Sequence, residues 1–210
     1  MALRLNGSTS GYVEIDAPAA AGSNTLTLPD GNGTSGQYLQ TNGSGGLSWQ
    51  SASNLTRVSS QSLSGVGSVT FTGIPSTARV IYLVLDQASA DNTTGGYLHV
   101  RLGDSGGIET TGYLSNGAFI NTASACDSFG STTGFNLDNN DRGNKHSGVI
   151  TIVNQSGNVW CSSGTTTVNN SGFMNAGRKE LSGTLTQVQF LTTAGTFDDG
   201  TASLLYEVES

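Results

Sequence analysis

Turn-forming residues recur every few positions along the chain, and their frequency limits it to short structural elements. Glycine alone accounts for 30 of the 210 residues, and asparagine, serine and threonine fill many other positions. Between them lie short apolar runs, several of which alternate with polar residues, and no segment has the period of an amphipathic helix. The sequence therefore predicts short strands joined by tight turns in an all-β protein.

The low charge of the chain argues against disorder and excludes some functions. Charged residues make up 11% of the sequence, whereas a disordered chain of low hydrophobicity normally carries many charges. The formal net charge is −7 and the basic residues are scattered, so no nucleic-acid binding through phosphate contacts is expected. The apolar run at 80–85 is far shorter than the roughly 20 residues of a membrane helix, so no membrane insertion is expected.

The first fifty residues form a predicted module of their own. Short alternating runs at 12–15 and 25–28 precede a predicted hairpin, in which 37–40 and 47–49 flank an Asn-Gly turn. About four strands of about four residues bury too little apolar area to offset their chain entropy. Residues 1–50 are therefore predicted to pack on the rest of the chain or on identical copies around an axis. The candidate oligomer or attachment contacts are Leu26, Leu28, Leu39 and Trp49.

Residues 55–210 are predicted to form an antiparallel, jelly-roll-like β-sandwich, after a boundary at 51–53. The run 80–85 is apolar at nearly every position, which predicts a central strand covered on both faces. In residues 181–191 the apolar positions change parity, which predicts a bulge or a turn near Thr186. The predicted strands are 55–63, 66–71, 79–88, 97–102, 148–154, 159–168, 181–191 and 202–208.

The longest stretch rich in turn formers, residues 115–145, is predicted to be a surface excursion that packs down in part as short strands. Long irregular segments in compact domains are usually functional or mobile, and either receptor contact or covering of a neighbouring subunit fits this one. An oxygen-rich cluster within it lacks the alternate spacing and terminal glutamate of a calcium loop. The candidate surface-recognition loop there consists of Asp138, Asn139, Asn140, Asp141 and Arg142.

The sequence shows no pattern of catalytic, cofactor-binding or metal-ligating residues. His99 and His146 lie in different segments without a matching acid or nucleophile, and are interpreted as polar strand residues. The acidic pair at 198–199 is interpreted as a turn before the last strand. Cys126 and Cys161 form either one disulfide or free thiols, and we favour free thiols because nothing else indicates a disulfide scaffold. Neither an enzymatic activity nor a cofactor is expected.

Several motifs resemble those of phage structural proteins and together cover most of the chain. They are GYVEIDAP at 11–18, GSNTLTLP at 22–29, GQYLQTNG at 36–43, LSW at 47–49, FTGIP at 71–75, GIETTGY at 107–113, LSGTL at 181–185 and TFDDG at 196–200. These motifs resemble modules of fibre and appendage proteins of marine phages, particularly cyanophages. The resemblance implies a structural protein of the virion, made in the host cytoplasm and assembled as a homotrimer.

The resemblance leaves open which part of the virion the protein occupies. The chain is short, without a coiled coil or an extended shaft, so we expect a short trimeric fibre or knob of the tail or particle surface that aids host attachment. Residues 1–50 would then bind other virion proteins, and residues 55–210 would form a knob that contacts a host surface glycan or protein. The alternative is a capsid decoration (cement) protein or capsid-bound fibre that stabilises the shell. A polysaccharide-degrading tail spike is disfavoured because such spikes need a long β-helical body.

Overall fold

The structure is a computed structural model that describes residues 3–20, 22–51, 55–91, 96–120, 126–140, 143–168 and 171–209. The regular elements in these ranges are β-strands, joined in antiparallel ladders, which confirms the predicted all-β class. The chain divides into two compact units, Met1–Ser53 and Asn54–Ser210. This division falls beside the boundary predicted at 51–53.

The described residues of the N-terminal unit form two antiparallel hairpins. Their strands are β1 (Leu3–Asn6), β2 (Tyr12–Ile15), β3 (Gln37–Thr41) and β4 (Leu47–Ser51). Strand β1 pairs with β2, and β3 pairs with β4, so the predicted second hairpin is confirmed. The strand predicted at 25–28 is not formed, since this run contributes only an isolated bridge between Thr27 and Gly46.

No described residue of the N-terminal unit is buried. In the first hairpin Leu3 lies opposite Ile15 and Leu5 lies opposite Val13, so these four apolar side chains share one face. All four are 57–67% exposed. Because an isolated two-stranded hairpin is at best marginally stable in water, this unit needs a surface other than its own to bury its apolar face.

The described part of the C-terminal unit is a β-sandwich of an eight-stranded and a five-stranded sheet. Its strands are β5 (Leu55–Ser62), β6 (Ser68–Thr72), β7 (Ala78–Asp91), β8 (Gly96–Asp104), β9 (Gly107–Ile108), β10 (Tyr113–Ile120), β11 (Cys126–Ser131), β12 (Phe135–Asn140), β13 (His146–Ser156), β14 (Val159–Val168), β15 (Ser171–Glu180), β16 (Gln187–Thr192) and β17 (Thr196–Val208). The larger sheet has the strand order β11–β10–β15–β14–β13–β7–β17–β5. The smaller sheet has the order β12–β8–β16–β6, with β9 beside β8.

The two sheets share one hydrophobic core between their facing sides. Ile81 and Leu83 of the larger sheet and Val188 and Phe190 of the smaller sheet are completely buried in it. Phe190 packs against Phe197 of β17 with ring centroids 5.0 Å apart, so an aromatic contact joins the sheets directly. Each fully buried side chain of this size contributes about 1.5–3 kcal/mol to stability, which makes this core the main source of stability in the unit.

The strands predicted in the C-terminal region correspond to β5, β6, β7, β8, β13, β14, β16 and β17. Strand β7 lies between β13 and β17, which confirms the central strand predicted at 80–85. Its second face is only half-buried, so the predicted cover on both faces is incomplete. Strand β16 begins at Gln187, and the parity change near Thr186 therefore marks the end of a loop.

The segment 115–145, predicted as a surface excursion, is mostly sheet. It contains most of β10 and all of β11 and β12. The prediction was wrong because glycines that were counted as turn formers lie inside strands, where they make room for aromatic rings. A Cβ atom at Gly117 would overlap the ring of Phe173, and one at Gly177 would lie 2.6 Å from the ring of Phe135.

Candidate functional sites

The predicted oligomer contacts lie on the surface of the N-terminal unit. Leu26 and Leu28 are 67% and 68% exposed, and Leu39 is 42% exposed. Trp49 lies opposite Leu39 in the second hairpin, and its Nε1 donates a hydrogen bond of 2.8 Å to the carbonyl oxygen of Gly31. This bond fixes the orientation of the indole ring, and the Trp49 side chain is half-buried. All four side chains are accessible in a single chain, and their contact with other subunits stays a prediction.

The first part of the predicted recognition loop is a strand, and its first residue is buried. Asp138, Asn139 and Asn140 are the last residues of β12, and Asp138 is buried between the sheets. Asp141 and Arg142 lie outside the described residues. Because Asp138 faces the interior, it does not offer its carboxylate to a receptor, and for this residue the prediction is wrong.

Asp138 instead contacts a histidine of the opposite sheet. Its Oδ2 lies 2.9 Å from Nε2 of His146 on β13, at ion-pair distance but without the geometry of a directed hydrogen bond. The other ring nitrogen of His146 lies 3.4 Å from Oγ1 of Thr166. Both partners are almost completely buried, and a buried polar group that loses its partner costs about 1–3 kcal/mol of stability. The contact therefore anchors the end of β12 to the larger sheet.

His99 is a second buried histidine, and neither of its ring nitrogens has a hydrogen-bond partner within the described part of the chain. It stacks on Tyr97 with ring centroids 5.8 Å apart, and Gly134 covers it so closely that a Cβ atom there would lie 2.8 Å from the His99 Cβ atom. Burial, and then the charge of Arg101, lower the pKa of His99 to about 4. His99 is therefore neutral at pH 7, and no acid among the described residues is hydrogen-bonded to it as a catalytic partner would be.

A polar network joins the turn between β8 and β9 to the loop between β15 and β16. Ser182 Oγ lies 2.8 Å from both Asp104 Oδ2 and Glu109 Oε1. The buried ammonium group of Lys179 forms an ion pair with Glu109 and donates a hydrogen bond of 2.8 Å to the Glu180 carbonyl oxygen. A nucleophilic serine needs an adjacent general base with a suitable pKa. The network instead holds the loop against the hairpin.

The pKa shifts in this network agree with a structural role. The hydrogen bond from Ser182, followed by that from the Gly106 amide, lowers the pKa of Asp104. Burial raises the pKa of Glu109, but hydrogen bonds from Lys179 and Ser182 outweigh burial and leave the pKa below its usual value. Carboxylates with lowered pKa values are weak bases at pH 7, so neither is suited to activate the Ser182 hydroxyl.

The acidic pair at 198–199 lies inside β17 and not in the predicted turn, which the structure places at 193–195. The ladder between β17 and β7 is interrupted by register shifts on both sides of Asp199, and such bulges tolerate turn-forming residues within a strand. Asp199 forms an exposed ion pair with Lys145, whose hydrogen bond lowers the pKa of Asp199. The pair is therefore a surface feature of a bulged strand.

Cys161 carries a free and exposed thiol on β14. This confirms the favoured free-thiol prediction for Cys161, while the side chain of Cys126 lies outside the described part of the chain. Over the described ranges, no three side chains of the metal-ligating types His, Cys, Asp and Glu converge on one point. Those same ranges also contain no helix of the length and hydropathy needed to cross a bilayer.

A polar cavity of about 570 Å³ lies at one end of the sandwich. The turn between β13 and β14 forms one wall, and Asn154 shapes this turn by donating hydrogen bonds of 2.9 and 3.2 Å to the carbonyl oxygens of Gly157 and Val159. The segment before β7 and the end of the chain form the other wall, where Arg79 and Glu209 make an ion pair of 2.7 Å. The volume is in the usual range for small-ligand sites, roughly 300–1,000 Å³.

Neutral amide and hydroxyl groups dominate the lining of this cavity. Gln155 and Asn158 supply amides, Ser76 and Thr184 supply hydroxyls, and the buried ring of Trp160 closes one side. Amides and hydroxyls both donate and accept hydrogen bonds, which suits a ligand that is itself rich in hydroxyl groups. No local sequence pattern marks this cavity, because its residues come from separate segments that only the fold brings together.

Comparison of the chain with protein-family models and with curated proteins gives no match.

Proposed function

We propose that the protein is a structural component of a bacteriophage virion, a short trimeric fibre or knob of the tail or particle surface that aids host attachment. The observation that supports this most strongly is the N-terminal unit, in which no described residue is buried. Its open apolar faces need a partner, and identical chains or another virion protein supply one. The phage assignment itself is supported by the resemblance of the motifs between residues 11 and 200.

The two units then have separate tasks. Residues 1–50 oligomerise and attach the protein to the particle, and residues 55–210 form a knob that points outward. A structural role, not a catalytic one, is supported by the buried state of His99 and by the paired carboxylates around Ser182. The sandwich places its loops at its two ends, where contact with a partner does not disturb the core.

We place the contact with the host in the polar cavity at the end of the sandwich, and infer that it binds a glycan of the host surface. The support for this is its lining, since neutral amides and hydroxyls match sugar hydroxyl groups, and the charged groups of the wall, Arg79 and Glu209, pair with each other. A pocket of about 570 Å³ accommodates one or two sugar rings.

The location of the protein on purified phage particles tests the proposed function. Antibody labelling and electron microscopy are expected to find it at the tail or in spikes at the particle surface. A chain that lacks residues 1–50 is expected to be absent from the particles. Uniform cover of the capsid faces would identify a decoration protein instead, and absence of the full chain from purified particles would contradict the proposal.

The cavity is tested by removal of two amides, Gln155→Ala with Asn158→Ala. Loss of two hydrogen bonds of about 1 kcal/mol each is expected to weaken binding to host polysaccharide fragments about tenfold or more, measured by calorimetry. The matched control is Gln40→Ala with Gln50→Ala, which removes two exposed amides of the N-terminal unit and should leave binding unchanged. Equal binding by both double variants would exclude the cavity, and new reducing ends during incubation would overturn the non-catalytic role.

A further inference from the structure

The eight-stranded sheet covers the core with one face only. Its inward residues are buried, and Leu83 and Ile150 on adjacent strands are completely so. The alternate residues point to the opposite side, which we call the outer face. Large apolar residues on it remain 41–66% exposed, namely Leu114, Val149, Val153 and Met174.

The strand register gathers these residues into continuous rows. Val149 lies opposite Val84, and Val153 lies opposite Val80 on the same pair of strands. Met174 lies in the row of Val149, two strands further along the sheet. Side chains that are directly opposite have Cβ atoms about 4.5–5.5 Å apart, so the valines contact one another. The outer face thus carries two valine pairs in contact, and the row of Tyr82, Thr151 and Ser163 lies between them.

Charge is scarce at the centre of the outer face. In the rows that run from Val80 to Val84 across β7, β13, β14 and β15, the charged residue is Arg178, and Glu180 lies 2.9 Å from its guanidinium group. On the neighbouring strand β17, Glu207 lies opposite Val80 and accepts a hydrogen bond of 3.0 Å from the Tyr82 hydroxyl. Copies of a chain with a net charge of −7 repel one another over most of their surface. Depletion of charge is typical of the centre of protein interfaces, and this face lets identical copies approach at low electrostatic cost.

The size of the outer face matches the requirement of a stable interface. Eight strands at a spacing of about 4.8 Å span about 34 Å, and the residues from Val80 to Asp86 span about 20 Å, which gives roughly 700 Å² on each copy. A standard interface buries about 800 Å² per partner. A shallow depression of about 680 Å³ on the same face, beside Leu114 and Ala176, offers space for side chains that project from a partner.

We propose that the outer face of the eight-stranded sheet binds a second copy of this chain. This surface belongs to the C-terminal unit and is separate from the contacts predicted at Leu26, Leu28, Leu39 and Trp49. The inference rests on the proposed oligomeric state but adds an interface in the knob. In the assembly, the apolar rows of one copy are covered by its neighbour, and Cys161, which lies in the row of Val153, is shielded from solvent.

The test uses the full chain with Val149→Lys and Val153→Lys together. Burial of two unpaired ammonium groups is expected to raise the apparent dissociation constant of the oligomer at least about 100-fold, measured by sedimentation equilibrium. The matched control is Val66→Lys, the same substitution at a valine of similar exposure, 39%, in the loop between β5 and β6. This control should keep the mass of the unaltered protein. Circular dichroism checks that both variants stay folded.

A second measurement follows the reactivity of Cys161. In the unaltered oligomer Cys161 is expected to react slowly with a maleimide, and in the lysine variant rapidly, with peptide mass spectrometry identifying the modified cysteine. A dissociation constant that is the same in the lysine variant and the unaltered protein, or a Cys161 that reacts rapidly in the unaltered oligomer, would overturn this interface while leaving the proposed function in place. A monomeric unaltered protein would overturn both the interface and the trimer.

Discussion

The two buried histidines, His99 and His146, have different surroundings in the sandwich. His146 faces Asp138 across the two sheets, so its ring lies beside an acidic partner. His99 packs between Tyr97 and the backbone of Gly134, where its nitrogens have no partner among the described residues. A buried polar group without a partner costs stability, and the cost rises further when the group becomes charged.

His99 is predicted to make folding sensitive to mild acid. The unfolded chain binds a proton at this residue with a pKa near 6.5, whereas the folded protein does so only at about 4. The free energy of unfolding is therefore not reduced by this residue above pH 6.5. As the pH falls from 6.5 towards 4, protonation of His99 in the unfolded chain lowers the free energy of unfolding by up to about 3 kcal/mol. In urea unfolding at several pH values, the free energy of unfolding of His99→Phe is expected to change less between pH 6.5 and pH 4 than that of the unaltered protein. Parallel profiles for the variant and the unaltered protein would contradict the prediction.

Strand β12 illustrates, at the scale of elements, how an edge strand of polar sequence is fixed in place. It lies at the end of the smaller sheet, and its contacts across the sandwich include two pairs of side chains. Phe135 meets Tyr113 of β10 edge to face, with ring centroids 5.2 Å apart, and Asp138 meets His146. The strand therefore depends on contacts between the sheets as well as on its ladder with β8.

Asp138→Ala is expected to destabilise the C-terminal unit by about 1–3 kcal/mol, because His146 then loses its buried polar partner. The double variant Asp138→Leu with His146→Leu is expected to recover most of this loss, since an apolar pair leaves no buried polar group without a partner. Asp127→Ala, which removes an exposed aspartate of β11, serves as the control and should change stability by less than about 0.5 kcal/mol. An effect of Asp138→Ala no larger than that of the control would show that the pair does not hold β12.

The strands that sequence reasoning located are those with a strong apolar or β-branched pattern, such as β7 and β14. Strands β10, β11, β12 and β15 were missed or reduced to short pieces because small and polar residues fill them. These segments form strands because of tertiary contacts, such as that of the Phe173 ring with Gly117. Such contacts have no signature in the local sequence. The cavity lined by Gln155, Asn158 and Thr184 was missed for a similar reason, since widely separated segments form it.

At the scale of the whole molecule, each unit leaves an apolar surface open. In the N-terminal unit this is the face of Leu3 and Val13, and in the C-terminal unit it is the outer face of the larger sheet. Exposed apolar patches of this extent commonly mark interaction sites. Self-association would cover both surfaces with one kind of partner, as in the trimeric appendage that we propose.

The mass of the full chain in solution tests this account most directly. Sedimentation velocity and light scattering over a wide range of protein concentrations are expected to give the mass of three chains, with the trimer persisting on dilution. A folded chain that remains monomeric at the highest concentration would contradict the account, because the apolar surfaces of both units would then be stable in water without a partner.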